Sequence, residues 1–248
     1  MDLASLTRQL IDFSYPPACV ACGAGIERAG SFCAECSGSL SKLQTAPFCS
    51  LCGMPVPEPE APCPHCLGEG VPHFDRIIRL GVFRDPLKHL IHQMKYHRRW
   101  TIAELLAERL LNCPPARQLL DQADVLVPVP LHPLRQIARG YNQADVIVRV
   151  LGRKKRKKVV QPLSRVKHTP MQISMTSQAK RAENLRGAFE LENPKHVHDK
   201  RVVMIDDVLT TGSTLRAAAQ ELSKAKPASL AALVVAVADP KGRDFQVI

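Results

Sequence analysis

Residues 202–215 read VVMIDDVLTTGSTL. Four apolar residues run into two adjacent acids, and a loop of threonines, a glycine and a serine follows. The apolar run predicts a buried strand. Asp206 and Asp207 close that strand, where the chain turns and both can face a ligand. Carboxylates in such a place accept O–H bonds from vicinal hydroxyls and raise the local affinity for Mg²⁺. Thr210, Thr211, Gly212, Ser213 and Thr214 lead into a helix, whose free N–H groups and dipole favour an anion. A diol at one end and a phosphate at the other describe a ribose 5-phosphate. A plainer role is capping, with Asp207 or Thr210 as N-cap, but capping needs one such residue and this loop has seven. The competing phosphate motifs G-x-x-x-x-G-K-[ST] and G-x-G-x-x-G are absent from the sequence.

The surrounding chain alternates strand and helix patterns. Strands are predicted at 76–83, 124–129, 158–163, 201–206 and 229–238. The stretch 87–111 is helical in pattern, with Lys95-Tyr96 between two apolar faces and Pro114-Pro115 ending this part. Further helices are expected at 142–151 and 213–222, and Pro128, Pro130 and Pro133 force a loop at the C-terminal end of the strand 124–129. Residues 164–186 are long, polar and aperiodic, which marks a mobile functional segment or a disordered one. Such alternation predicts an α/β fold with a mainly parallel sheet, whose ligands bind beyond the carboxyl ends of the strands.

Eight of the nine cysteines form four C-x-x-C pairs: Cys19/Cys22, Cys33/Cys36, Cys49/Cys52 and Cys63/Cys66. Two such turns complete a tetrahedral Zn²⁺ shell, so two closed structural sites are expected. Sequential pairing is the simplest; a crossed pairing, first with third and second with fourth, stays open. Gly23 and Gly53 follow the second cysteine of their pairs, where a tight knuckle favours glycine. Disulfides, a redox dithiol and a single Fe–S cluster are the competing readings, and His65 is expected to face solvent rather than replace a cysteine ligand. Cys113 reads as a half-buried side chain without a catalytic partner. The division that follows is a double zinc-ribbon-like module at 1–68 and an α/β domain at 69–248.

The chain has 248 residues, 45% apolar and only 4% aromatic, so an aliphatic core is expected. Its formal net charge of +11 favours an anionic partner. The run RKKRKK at 153–158 reads as a solvated loop or a phosphate-backbone contact. Leu3, Leu6, Leu10 and Phe13 mark one face of a short helix rather than a signal peptide, and no apolar run reaches membrane-spanning length. A cytoplasmic protein without membrane insertion is the expectation.

VVMIDDVLTTGSTL resembles the 5-phosphoribosyl-1-pyrophosphate (PRPP) motif of type I phosphoribosyltransferases. The multi-cysteine module, MKYH at 94–97, VPVPLHPLRQIARGYNQA at 127–144, RAENLRGAF at 181–189 and this motif occur in the order typical of the ComF family, with its competence-associated ComFC and GntX relatives. The resemblance implies that Asp206 and Asp207 hold the ribose hydroxyls as the catalytic acids, and that Thr210–Thr214 cradle the 5-phosphate. It implies Arg139, Asn142 and Gln143, and more weakly Arg135, as pyrophosphate contacts, with Lys95 reaching in from the preceding helix. A hood loop at 164–186 would close over the site, using Arg165, Lys167, Gln172, Arg181 and Asn184. Mg²⁺ would accompany PRPP, and a nitrogen acceptor would displace pyrophosphate; nothing in residues 1–123 specifies that acceptor. Single-stranded DNA and competence-machinery proteins are the further partners implied. A DNA-handling module and a PRPP-sensing regulator remain alternatives to an enzyme.

Overall fold

The computed structural model describes residues 16–27, 31–58, 62–167 and 185–238. Its strands are β1 (Arg76–Val82), β2 (Val125–Pro128), β3 (Lys158–Val159), β4 (Leu163–Arg165), β5 (Phe189–Leu191), β6 (Arg201–Leu209) and β7 (Ser229–Val237). Five of them form one parallel sheet in the order β1-β7-β6-β2-β3, and β4 and β5 pair separately and antiparallel. The helices are α1 (Ala34–Thr45), α2 (Leu87–Tyr96), α3 (Trp100–Leu111), α4 (Pro114–Gln122), α5 (Pro133–Arg139), α6 (Gln143–Lys155) and α7 (Ser213–Ser223). The central strands β6 and β7 are apolar almost throughout because helices or the cysteine-rich segment cover both faces.

The expected strand and helix alternation is present, with several local differences. The helical stretch 87–111 breaks at 97–99, so Lys95 and Tyr96 belong to the last turn of α2. Pro114 and Pro115 do not end a region; they start α4, where a missing N–H costs nothing. The proline-rich loop after β2 contains α5, which starts at Pro133 and ends at Gly140 in the left-handed conformation (φ 82°). The predicted strand 158–163 is two strands in two sheets. The basic run is not a loop: Arg153, Lys154 and Lys155 form the last turn of α6, which ends at Arg156. Lys155 pairs with Asp121 at 2.6 Å, and Lys157 donates to the carbonyls of Asp121 and Ala123 at the end of α4. Cys113 is fully rather than half buried, and His65 is half-buried rather than solvent-facing. The apolar face at Leu3–Phe13 lies outside the described residues.

The cysteine-rich segment holds α1, which its low periodicity did not announce. This segment wraps the edge strand β1. Cys19, Val20, Cys36 and Leu40 join the core on one face of the sheet, and Cys52, Met54, Val56 and Cys63 join the core on the other. On the free side of β1, the Ile77 N–H donates to Ser50 O at 2.8 Å, covering an edge that would otherwise offer unpaired groups. Arg79 is fully buried and donates to the carbonyls of Leu43, Ala46 and Pro47, the first two at the C-terminal end of α1. Its guanidinium also lies over the Phe48 ring at 5.1 Å. A cation among the free carbonyls of a helix C-terminus is favourably placed, and it ties the segment to the sheet.

Candidate functional site

β2 stops at Pro128, opposite Ile205, while β6 continues to Leu209 alongside β7. The acids therefore lie inside a strand and not at its end, contrary to the sequence reading. The gap left where β2 ends is what opens them to a ligand. A cavity of about 550 Å³ fills that gap at the carboxyl end of the sheet. Lys95, Arg139, Asn142, Gln143, Asp206, Asp207, Thr210 and Thr214 all line it, as do Arg135 and Arg165. Thr211, Gly212 and Ser213 lie behind this lining, in the turn into α7.

Two acids this close repel one another and lose solvation together. Asp206 is pushed up to about 7, first by burial and then by Asp207. Its Oδ1 accepts the Asp207 N–H at 2.8 Å, and Lys95 Nζ lies 2.9 Å from Asp207 Oδ1. Neither acid caps α7: the N-cap is Gly212 at φ 73°, with no side-chain bond to the helix. The turn is tied instead by Thr211 Oγ1 to Ser213 Oγ at 2.9 Å and by Arg216 donating to Thr211 O. This leaves Thr210, Thr214 and the start of α7 facing the cavity.

The opposite wall is cationic. Arg139 ends α5, donates to Gln143 Oε1 at 3.3 Å and lies over the Tyr96 ring at 5.8 Å. Asn142 caps α6 by accepting the Ala144 N–H, and its amide donates to Val129 O at the end of β2. Gln143 is buried, and its Nε2 has no hydrogen-bond partner among the described residues. Tyr141 donates to Met94 O, joining this turn to the last turn of α2. Burial lowers Arg135, and Arg139 adds to the effect. Arg165 is lowered to about 10, chiefly by burial and then by Arg135. Crowded cations and an orphaned buried amide are what an anion would satisfy.

Part of the expected hood lies among the described residues. Arg165 sits in β4, which pairs with β5, and Lys167 Nζ closes the stem by donating to Arg186 O at 2.8 Å. Gln172, Arg181 and Asn184 lie outside the described residues. Sequence reasoning did not find the remaining wall, where Phe83, Ile91, His92 and Tyr96 come from β1 and α2. His92 and Tyr96 flank Lys95 at helical spacing, and that spacing was the available signal.

The cysteines resolve into two quartets, Cys19/Cys22/Cys33/Cys36 and Cys49/Cys52/Cys63/Cys66, with the sulfurs of each quartet within 4.8 Å of one another. This is the sequential pairing. The Cys22–Cys33, Cys49–Cys66 and Cys52–Cys63 sulfurs are 3.7, 3.8 and 3.6 Å apart. These are too long for a disulfide and close to the ~3.8 Å edge of a tetrahedron with Zn–S near 2.3 Å. The residues present thus fit two structural zinc ions. Gly23 and Gly53 take the left-handed conformation that the knuckles require.

The double zinc ribbon domain family matches residues 10–67, and the phosphoribosyl transferase domain family matches residues 116–247. Competence protein F of Haemophilus influenzae is 33% identical over 195 residues, which cover 76% of this chain and 84% of that protein. DNA utilization protein YhgH of Escherichia coli K12 is 35% identical over 194 residues, covering 77% and 83%. Competence protein ComFC of Bacillus subtilis is 27% identical over 211 residues, covering 82% of each chain.

Proposed function

This chain belongs to the ComF family, and from that premise we propose that it is a PRPP-dependent phosphoribosyltransferase acting on a nitrogen nucleophile. The observation that carries this reading is the composition of one cavity: an acid pair, a hydroxyl-lined helix start and a cluster of arginines. Asp206 and Asp207 accept hydrogen bonds from the ribose 2- and 3-hydroxyls. Thr210, Thr214 and the N-terminus of α7 receive the 5-phosphate. Arg135, Arg139 and Lys95 face the pyrophosphate, and Gln143 gains the partner it lacks. Bound with PRPP, Mg²⁺ would neutralise part of the leaving group's charge, and Asp206 and Asp207 are the carboxylates lining this cavity that could help to hold it.

In the reaction, the C1–O bond breaks and its electron pair leaves with pyrophosphate, while the acceptor nitrogen forms the new bond to C1 and a proton it carried passes to the departing pyrophosphate or to water. Positive charge develops at C1 beside the acids, and negative charge collects among the arginines. No covalent nucleophile from the protein is needed. Release of pyrophosphate from PRPP across a panel of nucleobases and amines tests this. Turnover with one acceptor, lost in Arg139→Ala, is the expected result. PRPP binding with no release for any acceptor would instead favour a regulator that senses PRPP.

A second reading, nucleic-acid handling by the same chain, is favoured by the opposite end of the sheet. Arg153, Lys154, Arg156, Lys158, Lys195, Lys200 and Lys226 have no ion-pair partner among the described residues. They enter or precede β3, β6 and β7 at their amino ends. The loops before β6 and β7 are joined there by Asp199 N–H to Lys226 O and Ala228 N–H to Lys200 O. Two relatives are named for competence and one for DNA utilization. A salt-sensitive shift of single-stranded DNA, lost in Lys195→Glu/Lys200→Glu/Lys226→Glu, is expected on this reading. No shift at low salt would remove it.

A further inference from the structure

One wall of the cavity is left unused by the ribose, the phosphate and the pyrophosphate. It is built by Phe83, just after β1, and by His92 and Tyr96, one turn apart on α2. The Phe83 and His92 rings are 6.1 Å apart between centroids, and His92 and Tyr96 are 5.6 Å apart. In a chain that is only 4% aromatic, this is a concentrated feature. Burial explains only Phe83, which is half-buried against the core. The core face of α2 is made by Leu87, Leu90, Ile91 and Met94, whereas His92 is exposed and Tyr96 is 51% exposed. The exposed His92 and Tyr96 rings, backed by Phe83, offer flat, polarisable faces beside the cavity to a planar ligand.

We propose that Phe83, His92 and Tyr96 form the acceptor subsite, and that the acceptor is a planar nitrogen heterocycle stacked against them. The proposal rests on the PRPP reading and deepens it. It moves the choice of acceptor from the hood to α2, the helix that also supplies Lys95. The acid pair and the arginines recognise PRPP, which any acceptor must share; Phe83 and His92 make no polar or ring contact with those groups, and Tyr96 meets them through Arg139. The arrangement also joins the two halves of the site, because the Tyr96 ring lies under the Arg139 guanidinium at 5.8 Å. An acceptor on the wall is thereby held beside the cation that faces the leaving group.

The test uses the zinc-loaded full chain saturated with Mg²⁺ and PRPP. Saturation-transfer NMR is recorded with adenine, uracil and nicotinate as planar probes and with cyclohexylamine as a saturated amine of similar size. At least one heterocycle should bind and cyclohexylamine should not. His92→Ala/Tyr96→Leu should weaken the heterocycle about tenfold, a typical value for a lost stacking face. Tyr96→Phe, which keeps the ring, should stay within twofold of wild type. PRPP affinity, measured by calorimetry, should change less than twofold in both variants. Three outcomes overturn the proposal: no heterocycle binds the PRPP complex, cyclohexylamine binds equally well, or the double variant binds heterocycles as wild type does. A parallel loss of PRPP affinity in His92→Ala/Tyr96→Leu also overturns it, by assigning the Tyr96 ring to holding Arg139. Failure of the wild type to bind PRPP at all overturns the underlying reading instead.

Discussion

Replacing Asp206 with Asn should make the ligand-free protein more stable at pH 8. The carboxyl of Asp206 is pushed up from the ordinary 3.8 to about 7, first by burial and then by Asp207. Below about pH 4 the acid is protonated in the folded and unfolded chains alike. Between there and about 7 the folded chain keeps a proton that the unfolded chain has released, so this group's contribution falls as pH rises through that window. Above it the ionised carboxylate is a standing cost. At ~1.4 kcal/mol per tenfold, the whole interval is worth at most ~4 kcal/mol. Two effects reduce the gain in the variant. Lys95 and Arg165 each lose a neighbouring negative charge. Part of the Asp206 surface also already meets solvent. The amide oxygen can keep the 2.8 Å bond from the Asp207 N–H. A net gain of about 2 kcal/mol at pH 8 is expected, shrinking to nothing or reversing by about pH 5.5. Urea unfolding of zinc-loaded wild type and Asp206→Asn at both pH values reads this as a shift in midpoint at constant slope. A variant no more stable than wild type at pH 8, or a difference independent of pH, would refute the reasoning.

Metal analysis should find two zinc ions per chain, falling to one in either Cys22→Ser/Cys36→Ser or Cys52→Ser/Cys63→Ser; a single zinc in the wild type would contradict the two-quartet geometry. Because the quartets sit on opposite faces of the edge strand β1, chelation should expose that edge and produce association on size-exclusion chromatography, and a chelated chain that stays monomeric would count against the edge-covering role. Arg79→Met strands three carbonyls and should cost about 3 kcal/mol in urea unfolding while leaving PRPP affinity unchanged; a loss below ~1 kcal/mol would show the clamp to be dispensable. Lys95→Met leaves Asp207 without its 2.9 Å partner and should weaken PRPP about tenfold or more; unchanged affinity in calorimetry would remove Lys95 from the site.

Local chemistry made the central strand, its loop and α7 legible, because an apolar run, an acid pair and a hydroxyl loop each signal through immediate neighbours. The cysteine pairs were legible for the same reason, but which pairs share a metal depends on contacts across the chain. Prolines were misread twice, before α4 and before α5, because a residue that stops a helix from inside also starts one from its first turn. The acids were placed at a strand end because the sequence shows where an apolar run stops. It does not show that β2 stops four residues before the end of β6. Arg79 looked like an ordinary strand residue; its role needs α1, more than thirty positions away. The aromatic wall is legible only as three scattered rings until α2 folds against β1.

The central claim is that the acid pair and the facing cations bind PRPP. Calorimetric titration of the zinc-loaded chain with PRPP and Mg²⁺ tests it most directly, with Asp206→Asn/Asp207→Asn alongside. Saturable binding by the wild type, weakened at least tenfold in the double variant, is the predicted result. Absence of binding by the wild type, or equal binding by both, would contradict it.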